Sequence, residues 1–169
     1  QSDLGIAIWD GAGLGYDGTI WGGEFFKHSA GVQQLERIAT LEPFRLLGSE
    51  KSLRQPWRIL LSLLFQYMEY DQVKETVHFL KLPISEIDFE VLYQMWLRQI
   101  NSPKSSSMGR IFEAFSCLLG IAETNNFEAE AAMKLQFAAE EAMKVPVVAE
   151  GVLSNQAQMK IDQGFRPIW

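Results

Sequence analysis

The sequence feature that most limits the fold is a glycine-rich segment near the start of the chain, residues 6–25. Two apolar segments, Ile6–Trp9 and Ile20–Trp21, flank glycines at positions 11, 13, 15 and 18 and carboxylates at Asp10 and Asp17. This pattern predicts two strands joined by a turn. Such a turn presents backbone N–H groups to an anion, and an aspartate at the strand end can hold a cation beside it. The alternative is a turn without a ligand, because glycine-rich loops alone are weak motifs.

Composition limits the class of protein. With 169 residues, 47% of them hydrophobic and 21% charged, the chain is predicted to be one globular domain with a substantial core. A net charge of −6 argues against a nucleic-acid partner, and no apolar run has the roughly 18 residues that a membrane span needs. One cysteine, Cys117, excludes an internal disulfide and favours a reducing, cytoplasmic location. Because the chain opens at Gln1 and closes on Trp169 without a polar tail, we expect it to be a piece of a longer protein.

The hydrophobic periodicity predicts an α+β protein with three successive regions. Residues 1–42 are predicted to form an antiparallel β-hairpin or meander whose return strand covers 32–38, and residues 43–52 a linker. Residues 50–144 are predicted to be mainly helical. Residues 145–169 are predicted to contain two short strands that form a C-terminal hairpin.

Capping signals divide the helical region. Pro56 precedes an apolar stripe of period 3.6, which predicts a helix of about four turns. Ser85 is expected to cap a further helix. A last helix is predicted over 127–144, with Asn125 or Asn126 as its cap.

The helix predicted over Met108–Leu119 has a strong apolar face, and Cys117 lies on or beside that face, where we expect it to be buried. Gly109 and Glu113 are four residues apart and share another face. A glycine in a first turn indicates close approach of another group, and a carboxylate one turn on can accept hydrogen bonds from a diol. A tolerated glycine and a solvated glutamate are the simpler interpretation.

Two arginines and two histidines each allow a structural and a ligand-binding interpretation. Arg54 and Arg58 lie one turn apart where a helix begins, as a solvated or salt-bridged pair or as a clamp for phosphate or carboxylate. His28 and His78 fall in different predicted elements. Their isolation favours structural roles over metal binding.

Six stretches follow one another in an order that resembles a known family. They are Asp10–Gly15, Asp17–Glu24, Gln55–Arg58, Asn101–Pro103, Ser106–Ala114 and Phe127–Met133. Together they closely resemble the C-terminal catalytic domain of the HypF carbamoyltransferases of nickel–iron hydrogenase maturation. The match covers most of the chain, and its first and fifth stretches are the most specific.

The resemblance implies an actin-like ATPase architecture, shared with the enzymes that put threonylcarbamoyl on tRNA. HypF-like proteins turn carbamoyl phosphate and ATP into carbamoyl-adenylate and pass the carbamoyl group to the C-terminal cysteine of an acceptor protein, HypE. The resulting thiocarboxamide is later dehydrated to the cyanide ligand of the active-site iron. The implied cofactors are ATP and a divalent metal that bridges the nucleotide phosphates to the protein.

The resemblance also implies site residues in the hairpin and before the serine–glycine helix. Asp10 resembles the aspartate that helps bind the metal. Gly13 and Gly15 would let the backbone approach the phosphates or the carbamoyl group. Ser106 and Ser107 would precede a helix N-terminus, a favourable place for an anion.

On the helix, Gly109 and Glu113 resemble the positions that border the nucleoside, with Glu113 on the ribose hydroxyls. Glu113 stands where the family usually has aspartate, and Ala129 replaces an expected glycine. The nucleophile would come from the acceptor protein. Cys117 is therefore not proposed as a nucleophile, and no catalytic residue is identified.

Part of the family's site is expected to lie outside the chain. A two-histidine metal motif is expected upstream of Gln1, and a glycine-rich nucleotide loop with a last metal-binding aspartate downstream of Trp169. We therefore expect the chain alone to be inactive or weakly active. Uncovered strand edges make a homodimer possible.

Two alternatives stay open on the sequence. The chain could belong to a sugar O-carbamoyltransferase of the same superfamily, although such a protein is expected to lack the run Trp21–Glu24 and the serine–glycine helix in this form. It could also be a binding module without enzymatic activity, in which the hairpin is a platform for a protein or ligand. The second alternative predicts no dependence on nucleotide or metal.

Overall fold

A computed structural model of the chain describes residues 3–144 as a mixed α+β fold, which confirms the predicted class. Residues up to Phe137 belong to one compact unit, and a second unit begins at Ala138. The hairpin predicted over 145–169 lies outside the described residues. No helix among those described is long and apolar enough to cross a membrane.

The described strands form one five-stranded sheet. They are β1 (Leu4–Leu14), β2 (Ile20–His28), β3 (Glu36–Thr40), β4 (Phe44–Arg45) and β5 (Lys104–Ser105). The strand order is β1-β2-β5-β4, and β3 also pairs with β2. β2 is antiparallel to β1 and β3 and parallel to β5, so it is the central strand of the described sheet.

The first strand is longer than the sequence predicts. β1 continues through Gly11 and Gly13 to Leu14, and its register with β2 shifts between Trp9 and Gly13. The connecting turn covers only residues 15–19, where Gly18 has a φ of +77°. A bulge absorbs the extra residues while backbone pairing resumes beyond it, which explains how a glycine-rich stretch still forms a strand.

Residues 3–144 also contain six helices: α1 (Glu50–Arg54), α2 (Trp57–Tyr67), α3 (Tyr70–Phe79), α4 (Glu86–Arg98), α5 (Met108–Leu118) and α6 (Glu130–Lys144). The cap predicted at Ser85 is confirmed, since its hydroxyl accepts a hydrogen bond from the Asp88 N–H at 3.1 Å. The predicted extent of α5 is also confirmed, within one residue.

Several predicted boundaries are wrong. The linker predicted for 43–52 contains β4 and the start of α1, because Phe44 is buried and β4 pairs with β5. The return strand begins at Glu36 rather than at residue 32, and α2 has 11 residues, about three turns. α6 begins three residues later than predicted because Ala129, just before it, has a φ of +61°.

The core is built around α2. Its buried face, which includes Leu61 and Phe65, packs in one cluster with Val73 of α3, Phe89 of α4 and Cys117 of α5. α2 and α5 therefore share this core, and α5 also contacts β1. This arrangement holds the N-terminus of α5 against the glycine-rich hairpin.

Candidate functional site

The hairpin and the N-terminus of α5 are packed backbone against backbone. A Cβ at Gly22 would lie 2.4 Å from the carbonyl oxygen of Asp10 and 2.9 Å from the Cα of Ser107. The Ser107 hydroxyl donates to the same carbonyl oxygen at 3.0 Å and accepts from the Arg110 N–H at 3.2 Å. Ser107 therefore caps α5 and ties it to the strand that carries Asp10.

Glu24, which sequence reasoning did not assign to the site, is a buried carboxylate that organises this junction. One carboxylate oxygen accepts from the backbone N–H groups of Gly22 and Gly23 at 2.7 and 2.8 Å. The other accepts from the hydroxyls of Thr40 and Ser106. Only 1% of Glu24 is exposed. A glutamate after two glycines was the available signal, but the sequence did not show that its side chain turns back onto them.

The hairpin leaves no room for a side chain at Gly15, because Trp21 packs against this position. A Cβ there would lie 2.1 Å from Nε1 of Trp21, and the Gly15 N–H donates to the Thr19 carbonyl at 2.8 Å. Trp21 in turn donates to Asp17 at 3.0 Å. Arg37 forms an ion pair with Asp17 at 2.7 Å and stacks over Trp21. Hydrogen bonds, those from Thr19 first, hold the pKa of Asp17 well below its usual range.

Asp10 lies on the exposed side of the bulge in β1, and Gly13 is close to it. A Cβ at Gly13 would be 4.0 Å from Oδ2 of Asp10. No group of three or more His, Cys, Asp or Glu side chains within residues 3–144 could hold a metal ion.

A cleft of about 610 Å³ opens between α1, the hairpin, α5 and the segment before α6. Its walls carry two arginines, one glutamate and two asparagines beside apolar groups: Ala12, Leu53, Arg54, Arg110, Asn125, Asn126, Phe127 and Glu128. A concave site with apolar walls and a few converging polar groups is the usual form of a small-molecule site. The two arginines outnumber the one glutamate on these walls, which favours an anionic group in the cleft.

Behind the cleft wall lies a buried charged pair. Glu113 is fully buried, and its Oε2 is 2.8 Å from a terminal nitrogen of Arg110. Its Oε1 accepts a hydrogen bond from the Asn125 amide at 3.0 Å. Burial raises the pKa of Glu113 to about 7, while Arg110 and Asn125 act in the opposite direction. The solvated glutamate considered from the sequence is not observed.

The structure brings the predicted residues to two neighbouring places. Asp10, Gly13 and Ser107 lie at the junction of hairpin and helix, and Gly109 and Glu113 lie on α5. None of them, nor Gly15, lines the cleft, although Arg110 and Ala12 are chain neighbours of Gly109 and Gly13. Their roles in binding nucleotide or metal stay predictions. Sequence reasoning did not assign Arg110 or Asn125 to the site.

Two predictions about reactive and basic residues can be compared with their surroundings. Cys117 is buried, as predicted, and burial raises the pKa of its thiol to about 12, so the thiolate is scarce at neutral pH. The two arginines of the predicted clamp lie in different surroundings. Arg54 lines the cleft, whereas the guanidinium of Arg58 stacks 4.6 Å from the Trp57 ring and donates to Gln55.

Comparisons with known proteins define the class first. Residues 6–168 match the family described as "Carbamoyltransferase, Kae1-like Domain, second subdomain". The chain therefore belongs to this HypF carbamoyltransferase family, as the sequence resemblance predicts. A carbamoyltransferase HypF of a Synechocystis species is 40% identical over 148 residues, and one of Rhodobacter capsulatus is 35% identical over 144 residues.

Solved structures give the same result for the fold. A full-length HypF in a phosphate- and nucleotide-bound form matches 79% of the chain with a TM-score of 0.68 and 28% identity. HypF of T. kodakarensis matches 83% of the chain with a TM-score of 0.71 and 27% identity. The two curated relatives named above extend much further, because the chain spans only 19% and 18% of their lengths.

Proposed function

We propose that this chain forms part of the carbamoyl-transfer site of a HypF-type enzyme, which uses carbamoyl phosphate and ATP and passes the carbamoyl group to a HypE-like acceptor. The observation that carries the proposal is the family match over residues 6–168. The cleft supports it, because Arg54 and Arg110 suit a phosphorylated substrate. HypF in a solved structure has been captured with phosphate and nucleotide, which agrees with such substrates.

In this proposal the reaction is acyl transfer. A thiolate of the acceptor attacks the carbonyl carbon of carbamoyl-adenylate, a C–S bond forms, and the C–O bond to phosphate breaks with its electron pair leaving on AMP. AMP is a good leaving group. The protein therefore has to position the two reactants and stabilise the negative charge on phosphate rather than supply a nucleophile.

The chain's own residues have separate parts in the proposal. Ser107 and Glu24 hold the hairpin against α5, so that Asp10 and the Gly13 backbone occupy fixed positions. Asp10 would supply one metal ligand, and the metal, when bound, would draw electron density from the phosphate. Gly13, Gly15, Ser107 and Gly109 remain the proposed contacts for nucleotide or carbamoyl group. The ribose contact that the resemblance implies for Glu113 would require its buried carboxylate to give up Arg110 or Asn125.

The proposal is tested with the full-length protein encoded by the gene. Incubation with carbamoyl phosphate, ATP and magnesium is expected to release AMP only when an acceptor with a C-terminal cysteine is present, and to add one carbamoyl group to that cysteine. Mass spectrometry of the acceptor measures the product. Transfer to a sugar hydroxyl, or a failure to consume ATP with either acceptor, would refute this function.

A further inference from the structure

The cleft contains a buried arginine with an unused donor. Arg110 lines the cleft but is only 4% exposed. Its Nε has no hydrogen-bond partner in the described part of the chain. A guanidinium stays charged at any physiological pH, and a buried donor without a partner costs about 1–3 kcal/mol. A buried donor without a partner calls for an explanation, and a water, an ion or a ligand in the cleft could supply the acceptor.

The position of this guanidinium is fixed from behind. Glu113 contacts Arg110 through Oε2 and accepts from Asn125 through Oε1. Asn125 also donates its amide to the Leu53 carbonyl at 2.8 Å and accepts from the Ala131 N–H at 2.8 Å. Asn125 therefore connects the C-terminal end of α1 and the N-terminal end of α6 to Glu113 by hydrogen bonds.

The same contacts leave Glu113 poorly placed to meet a ligand. It has no exposed surface, its Oε1 accepts from Asn125, and its Oε2 lies 2.8 Å from a nitrogen of Arg110 as an ion pair without a well-directed hydrogen bond. A ribose hydroxyl could reach it only if Arg110 or Asn125 moved away. Arg110 contacts the Glu113 carboxylate and also lines the cleft. It therefore separates Glu113 from a ligand bound in the cleft.

We propose that Arg110 binds an oxyanion, a phosphoryl or carboxylate group, in this cleft, and that Glu113 and Asn125 are positioning residues that hold its guanidinium. This inference rests on the proposed function only in taking the cleft as the substrate site, and it replaces direct ribose binding by Glu113 with an indirect role. Arg54, which is exposed on the cleft wall, adds a second positive charge. Glu128 on the same wall carries a negative charge that weakens, but does not cancel, the attraction of the two arginines for an anion.

The test measures binding of inorganic pyrophosphate to the 169-residue chain by calorimetry at pH 8, where Glu113 is mostly ionised. Replacement R110Q is expected to weaken binding at least about tenfold, since a charged hydrogen bond is lost. R54Q, at an exposed position, is expected to weaken it a few-fold. R98Q, on the exposed end of α4, is the control and is expected to bind as wild type.

A double-mutant cycle separates positioning from direct contact. E113Q is expected to weaken binding, and R110Q combined with E113Q is expected to bind no more weakly than R110Q alone. Additive losses would show that Glu113 acts independently of Arg110 and would overturn the inference. E128Q, which removes a negative charge from the wall, is expected to bind at least as tightly as wild type.

Three other results would also overturn the inference: no binding by the wild-type chain, equal binding by R110Q and wild type, or a loss at E128Q as large as that at R110Q. Thermal unfolding of each variant shows that it is folded under the conditions of the titration. Since pyrophosphate binding does not require carbamoyl transfer, this inference and the proposed function can fail separately.

Discussion

At the scale of single residues, Gly22 shows how closely the hairpin approaches α5. A Cβ at this position would overlap the Asp10 carbonyl oxygen at 2.4 Å, and both neighbours are backbone atoms that cannot swing away. G22A is therefore expected to lower the free energy of unfolding by about 1–3 kcal/mol, the usual cost of overpacking. Urea denaturation followed by circular dichroism measures the change.

The matched control is G5A, in the same sheet, where a Cβ would meet no atom within 4 Å. Its free energy of unfolding is expected to stay within about 0.5 kcal/mol of wild type. Equal stability of G22A and G5A would mean that the hairpin and helix are not packed as described.

Glu113 gives a prediction about pH. Burial raises the pKa of this carboxyl from about 4.5 to about 7 in the folded chain. Between those pH values the folded state holds a proton that the unfolded state has released, so this group makes the free energy of unfolding fall as the pH rises. The loss is complete above the folded pKa and is on the order of 1–3 kcal/mol.

The variant E113Q lacks this titration, and the difference in stability between wild type and E113Q isolates it. The difference is expected to shift against wild type between pH 4.5 and pH 8, as measured by urea midpoints at both pH values. A difference that stays constant would show that the carboxyl titrates at its ordinary pKa.

At the scale of elements, α2 depends on an aromatic cluster that joins it to α4. The ring of Phe65 lies 5.5 Å from that of Phe89, 5.1 Å from Tyr93 and 5.8 Å from Trp96. F65A would leave a cavity in this cluster and is expected to lower the free energy of unfolding by about 3–5 kcal/mol. F79A, at an 81% exposed position of α3, is expected to change it by less than about 0.5 kcal/mol.

Chemical denaturation of both variants tests the assignment of α2 as the centre of the core. Equal effects of F65A and F79A would contradict it.

Elements with strong periodicity could be predicted from the sequence, and elements fixed by distant contacts could not. The α5 helix and the Ser85 cap depend on neighbours within one turn, which the sequence shows directly. β4 and β5 have two residues each and form because they pair with each other, Phe44 with Ser105 and Arg45 with Lys104, across 61 and 59 positions of chain. Their short segments show no period at all.

The residues of the candidate site also differ in whether the sequence could predict them. Asp10 and the glycines stand in a local motif, whereas the contacts of Asn125 with Leu53 and Glu113 join residues that are 72 and 12 positions apart. A glutamate on a helix face looks solvated in the sequence, and only packing shows that it is buried beside Arg110. Recognition of a buried polar network therefore required the structure.

At the scale of the whole molecule, β1 is an edge strand that pairs only with β2 in the described sheet. Its large apolar side chains are exposed on both faces, with Ile8 43% and Trp9 62% accessible. An exposed apolar edge favours pairing with another chain. We therefore expect the 169-residue chain to associate with itself as its concentration rises, in keeping with the possible homodimer predicted from the sequence.

Sedimentation velocity over a range of concentrations measures this association. W9K is expected to shift the chain toward monomer, because a charge on an edge strand opposes pairing. The control is F79K on α3, which is also exposed but lies away from the sheet edge. A wild-type chain that stays monomeric, or an equal effect of both variants, would contradict a role for this edge.

The central claim is that the chain contributes Asp10 and the hairpin to a carbamoyl-transfer site. The most direct measurement is carbamoylation of the acceptor cysteine by the full-length protein, with D10A compared with D3A. Asp3 is an exposed aspartate that forms a surface ion pair with Lys27 just before β1, so D3A controls for the loss of a carboxylate nearby. We expect at least a hundredfold slower transfer for D10A and an unchanged rate for D3A. A D10A protein that transfers the carbamoyl group as fast as wild type would contradict this claim.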